Sequence, residues 1–112
     1  MLNIWSLKKH TTVKHLLLLL ENEFGSDSFL IDTEILLDEK AVYLEHREER
    51  SMRAYIFTLW QSKDRYGVHL EFPFDISSKV FLESYENLSY TGLKKVLCDH
   101  LDLCQRHRIF NP

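Results

Sequence analysis

The spacing of hydrophobic positions switches from a helical period to a strand period and back. Val13, Leu16, Leu17, Leu20 and Phe24 recur every three or four residues, the spacing of one helix face. A helix is predicted from about Lys8 or Thr11 to Phe24. Thr11 or Thr12 is placed to cap its start, and Gly25 sits where a glycine ends a helix. Leu18 and Leu19 widen the apolar stripe, so this helix should be heavily buried or packed on two sides.

Beyond Ser28 the period falls to two. Phe29, Ile31, Thr33, Ile35 and Leu37 alternate with Leu30, Asp32, Glu34 and Leu36. A turn at Asp38, Glu39 and Lys40 leads to Val42, Leu44 and His46, which alternate with Ala41, Tyr43, Glu45 and Arg47. A charged connection (47–51) precedes a third strand over 52–61, and a turn at 62–67 precedes a fourth with Val68, Leu70 and Phe72 against His69 and Glu71. Pro73 ends that strand or puts it at an edge. Connections of hairpin length imply antiparallel pairing. Residues 76–88 fit both periods, and the cap candidates Asp75 and Ser77 favour a helix there. Ser89 or Thr91 caps a last helix reaching about His107, with Leu93, Val96, Leu97, Leu101 and Cys104 opposite Lys95, Asp99 and Asp102. The expected fold is an α+β two-layer sandwich: a four-stranded antiparallel β-meander flanked by an N-terminal helix and one or two C-terminal helices. One domain, 1–112, accommodates it.

Composition adds exclusions. Hydrophobic residues are 45% and charged residues 28% of the chain, so neither disorder nor a membrane fold is expected. Lys8, Lys9 and Lys14 before the leucine run 16–20 imitate a signal peptide. The run is only five residues long and Glu21, Asn22 and Glu23 follow at once, whereas a secretory h-region needs about 7–15 apolar residues and a membrane span about 20. A cytoplasmic location is therefore expected. The net charge of −3 argues against a nucleic-acid module; the lysines of the first helix, and Arg106 and Arg108, lack the interleaved aromatics of a base-stacking platform. With 3 glycines in all, a backbone phosphate cradle is hard to build, and neither G-x-S-x-G nor H-E-x-x-H occurs.

Two constellations could carry chemistry. In "VLCDHLDLCQRHR" (96–108), His100, Cys104 and His107 share one helix face at i, i+4 and i+7, a spacing that suits zinc. A fourth ligand would have to come from afar, such as His46 or His69, and His100 and Cys104 fall in the stripe of Leu93, Val96 and Leu97, where cysteine acts as a small hydrophobe. Core packing is the favoured reading, and no metal or cofactor is expected. On one helix Cys98 and Cys104 would lie about 9 Å apart along the axis, beyond the roughly 7 Å a disulfide spans. Free thiols are expected, in keeping with a reducing cytoplasm. The second constellation is Glu45, His69 and Glu71 on one sheet face, with Asp32 and Glu34 beside them. Carboxylates next to an imidazole can do acid–base work, but a solvated face with cross-strand pairs, Arg47 included, has the same alternation. An enzyme is the lesser expectation.

The third strand is the anomaly. Ala54, Ile56, Thr58 and Trp60 alternate with Tyr55, Phe57 and Leu59, so both sides are apolar. One set fills a core, and the other lies on the far face near Tyr43. Apolar patches of that kind mark contact surfaces, unless a terminal segment such as Leu2–Trp5 or Ile109–Pro112 covers them. The expected function is protein binding through the open sheet face, by a homodimer or by an adapter, inhibitor or immunity-type protein. Tyr43, Arg53, Tyr55, Phe57 and Trp60 are the candidate contacts. Asp32, Glu34, Glu45 and Glu71 form an acidic rim that would steer a basic partner.

Overall fold

The computed structural model describes residues 3–33, 38–73 and 82–104. A 3-10 turn, Ile4–Ser6, leads to helix α1, Thr11–Phe24. Five strands follow: β1 Phe29–Ile31, β2 Ala41–His46, β3 Arg53–Phe57, β4 Tyr66–Glu71 and β5 Leu82–Leu88. Helix α2 spans Tyr90–Leu101. The strands lie side by side in chain order, every pair antiparallel. The fold is α+β, a meander with helices before and after it.

The strand count corrects the expectation of four. Residues 82–88 form a strand and not a helix, paired with β4 through His69↔Ser84 and Leu70↔Glu83. Serine and charged residues fall on both rows of β5, which erased the period-two signal; the strand exists because it pairs the backbone groups that β4 would otherwise leave exposed. The cap candidates Asp75 and Ser77, and Ile35 and Leu37 of the long first strand, lie outside the described residues.

One face of the sheet carries the core. Val13, Leu16, Leu17 and Leu20 of α1 and Leu93, Leu97 and Leu101 of α2 pack on Val42, Leu44, Ala54, Ile56, Val68 and Leu70, all buried. The cap of α1 is His10, not a threonine: its Nδ1 accepts from the Thr12 N–H at 3.2 Å. Thr12 instead turns its hydroxyl to Thr58 (3.0 Å), tying the start of the helix to the end of β3. Gly25 closes α1 at φ 94°, a conformation that favours glycine.

α2 stops earlier than the periodicity implies. Asp102 adopts the left-handed conformation (φ 63°), and its N–H bonds to the Cys98 carbonyl. Aspartate tolerates that region better than most residues. The chain then folds back, burying Leu103 and bringing the Cys104 and Cys98 α-carbons to 5.1 Å, with a disulfide between them. This overturns the expected free thiols: the two cysteines do not share one helix. It also removes the argument from cysteine usage for a reducing cytoplasm, since bonded pairs suit oxidising surroundings. Among the described residues, no helix is long and apolar enough to cross a membrane.

The disulfide closes a loop across the end of α2. Closing so short a loop stabilises a fold by about 2 kcal/mol in the chain-entropy account. Cys98→Ser/Cys104→Ser, or reduced wild type, should lose about that much in denaturant titration. It should also show faster amide exchange at Leu101 and Leu103. An unchanged unfolding midpoint on reduction would refute the constraint.

Candidate functional site

β3 separates its two apolar rows by register. Ala54 and Ile56 lie across from Leu44 and Val42 on one side, and from Leu70 and Val68 on the other, all in the core. Arg53, Tyr55 and Phe57 therefore point to the opposite face, which carries no helix among the described residues. Their cross-strand partners there are Glu45, Tyr43 and Ala41 on β2, and Glu71, His69 and Gly67 on β4. Trp60 belongs to neither row: β3 ends at Phe57, and Trp60 lies in the following turn.

The face has an aromatic half and a charged half. Tyr55 is the hub of the first. Its ring centroid lies 5.2 Å from Tyr43, 5.7 Å from Phe57 and 5.7 Å from His69, and Phe57 and His69 meet edge-on at 5.0 Å. Such tilted arrangements suit the ring quadrupoles. Phe57 lies flat across Gly67, where an added Cβ would fall 2.2 Å from the ring. Glycine at that position makes the close approach possible. All four rings stay half-buried.

Arg53 organises the charged half. Its Nε and Nη2 donate to one oxygen of Glu71 (3.1 and 2.9 Å), Nη1 lies 3.9 Å from Asp32, and the guanidinium sits 4.0 Å over the Tyr43 ring. The Tyr43 hydroxyl donates a short hydrogen bond to the other oxygen of Glu71. Burial first, then that carboxylate, pushes the Tyr43 hydroxyl up to about 12, so it stays protonated as the donor. Glu45 is buried and bonded to Arg50 Nε at 2.8 Å.

The acid–base constellation thus lands on one face with its carboxylates engaged by Arg50, Arg53 and Tyr43. His69 sits among rings and, among the described residues, in no ion pair. Glu34 lies outside the described residues. The candidate metal trio is not assembled: Cys104 is bonded to Cys98, and His107 lies outside the described residues. Among the described residues no group of three metal-ligating side chains occurs. Of the N-terminal segment offered as cover, Ile4 is in the core and Trp5 packs edge-on against His15 of α1, on the helix side. Ile109–Pro112 lies outside the described residues.

His100 supports the face from beneath. It is buried, with its ring edge-on to Phe72 at 4.8 Å. Its Nε2 lies 2.9 Å from the carbonyl oxygens of both Arg53 and Glu71. Carbonyls only accept, so Nε2–H donates to both. The residues that bridge by side chain above the sheet are clamped by backbone below it. Burial lowers the His100 pKa below 6.5, more than the two hydrogen bonds raise it.

The turn after β3 holds the most exposed large hydrophobic side chain described, Trp60, at 89% exposure and φ 63°. The Gln61 N–H bonds back to the Thr58 carbonyl, so Trp60 occupies a turn position where positive φ favours glycine or asparagine. A bulky residue there costs about 1–2 kcal/mol, and such cost concentrates at functional positions. The turn is pinned to β5: Asn87 N–H donates to Gln61 Oε1 (2.6 Å), Ser62 N–H donates to Asn87 Oδ1 (2.9 Å), and Gln61 Nε2 donates to Glu86 (3.3 Å). Between turn and face lies a cavity of about 220 Å³ lined by Asp38, Ala41, Tyr55, Phe57, Leu59, Trp60, His69 and Glu86. The sequence offered Tyr55, Phe57 and Trp60. It did not offer Asp38 and Glu86 as site residues, because the one sits in a turn of ordinary composition and the other on the strand whose period was unreadable.

Comparison with protein-family models, with curated proteins and with solved structures gave no match.

Two outcomes follow from this geometry. Trp60→Gly releases the left-handed cost and adds glycine's chain entropy of about 0.5–1 kcal/mol, so stability should hold or rise by up to about 1 kcal/mol. A loss above 1 kcal/mol would mean the indole packs structurally. His100→Ala strands two carbonyls and should cost about 2–3 kcal/mol. A lowered pKa means the unfolded chain takes up a proton before the folded one. Stability from His100 is therefore present above pH 6.5 and declines as pH falls through and below that value. His100→Gln, which keeps a donor that does not titrate, should flatten that decline in urea titrations between pH 7 and 5.

Proposed function

We propose that this chain is a protein-binding domain that docks a partner on the open face of its sheet. It fits a stoichiometric adapter, inhibitor or immunity-type protein, or one half of a homodimer. The carrying observation is the continuous aromatic surface Tyr43–Tyr55–Phe57–His69, extended by an almost fully exposed Trp60 held at positive φ. Aromatic and arginine side chains carry most binding energy at interfaces. Here Tyr43, Arg53, Tyr55, Phe57 and His69 stand on β-strands and Trp60 on a turn pinned to β5, which fixes their backbones before binding and lowers the ordering cost. The surrounding carboxylates suit a basic partner and faster encounter.

Native mass by light scattering and capture of partners by the immobilised full chain test the reading. Wild type should self-associate or retain a protein in stoichiometric amount. Phe57→Ala and Tyr55→Ala should weaken that complex by about 2 kcal/mol or more, roughly 30-fold, while Trp5→Ala, on the helix side, leaves it intact. A monomer that retains nothing, or a complex sensitive only to Trp5→Ala, would refute a role for this face.

A further inference from the structure

The cavity beside Trp60 specifies the partner's chemistry more closely than the face as a whole. At about 220 Å³ it is smaller than the roughly 300–1,000 Å³ of pockets for drug-sized ligands. It has room for a single long side chain. Its lining residues are of two kinds: the rings of Tyr55, Phe57, Trp60 and His69 with the aliphatic Ala41 and Leu59, and the acidic Asp38 and Glu86. Neither carboxylate is in an ion pair among the described residues. Asp38 Oδ1 accepts from the Lys40 N–H at 2.8 Å, which holds the turn; Lys9 donates to the Asp38 carbonyl oxygen at 3.4 Å and feels the Asp38 charge without forming an ion pair with it. Glu86 Oε1 accepts from the neutral Gln61 side chain.

These walls discriminate. An apolar anchor would pack on the rings but strip water from two carboxylates without pairing them. An acidic one would meet like charge at close range. A cation gains from both walls, since ring faces attract positive charge and carboxylates pair with it. Between the two cationic side chains, a planar guanidinium can stack on a ring and offer its edge to carboxylates at once, whereas an ammonium is a compact and strongly hydrated point charge. Resting on the docking reading above, we propose that this cavity receives one arginine side chain of the protein partner, stacked among Tyr55, Phe57 and Trp60 and neutralised by Asp38 and Glu86. The same protein already shows half of this arrangement, with Arg53 stacked over Tyr43 and bonded to Glu71.

The probes are blocked pentapeptides of glycine with a central arginine, lysine, norleucine or glutamate, titrated at low salt into the isotope-labelled full chain and followed by nuclear magnetic resonance. The arginine peptide should move the Trp60 indole signal and the Tyr55, Phe57 and His69 signals, with affinity at least fivefold above the norleucine peptide. High salt should weaken it, and Asp38→Asn/Glu86→Gln should weaken it at least fivefold without changing the fold. Shifts confined to other surfaces, no shift with any peptide, or norleucine binding as well as arginine would each overturn the arginine assignment. The docking reading is judged separately: a natural complex that needs Phe57 and Tyr55 but is indifferent to Asp38→Asn/Glu86→Gln keeps the face and removes the arginine, whereas a complex indifferent to Phe57→Ala removes the face itself.

Discussion

β3 is apolar on both rows, and among the described residues the sheet has helices on one side only. Ala54 and Ile56 disappear beneath α1 and α2, and Tyr55 and Phe57 have no second helical layer to enter among those residues. An antiparallel sheet of this kind ordinarily wets its far face with polar side chains. Here the central strand does the opposite. The rings shelter one another and leave an outer surface that is neither core nor wet. Arg53 and Gly67 accommodate it: a cation over one ring and a missing side chain under another.

The two faces are coupled at the register pair Arg53 and Glu71. Above the sheet their side chains meet, with Tyr43 and Asp32 around them. Below it their carbonyls share the imidazole N–H of His100. The helix layer thereby fixes the register of the strands that present the open face. The histidine in the apolar stripe of α2 donates to the backbone of the two residues whose side chains form a salt bridge on the opposite face.

Much of this was legible from the chain. Helix α1 and strands β2 to β4 follow from clear periods, as does the doubly apolar character of β3. What could not be read has physical reasons. β5 is a strand by pairing and not by pattern, since its exposed residues are polar on both rows. The end of α2 is set by aspartate in a left-handed cap, with neither the glycine nor the proline that usually announces a stop, and so the cysteine spacing was read on a helix that does not exist there. The caps also moved: His10 does for α1 what Thr11 or Thr12 was expected to do. Which row of β3 faces the helices is a question of register, which alternation alone cannot answer. The site inherited that uncertainty, so the rings were visible while Asp38 and Glu86, brought in by a turn and by the hidden strand, were not.

Trp60 sits at odds with its own backbone. The indole is 89% exposed on a backbone that disfavours it. Glycine or asparagine would close the same turn at lower cost. The pinning bonds from Gln61 and Asn87 use side-chain and backbone groups that do not involve the indole, so the turn does not need tryptophan in order to form. The cost of the turn therefore comes from the tryptophan and not from the bonds that pin it, and it is carried beside a surface that is half aromatic and lined by two acidic residues.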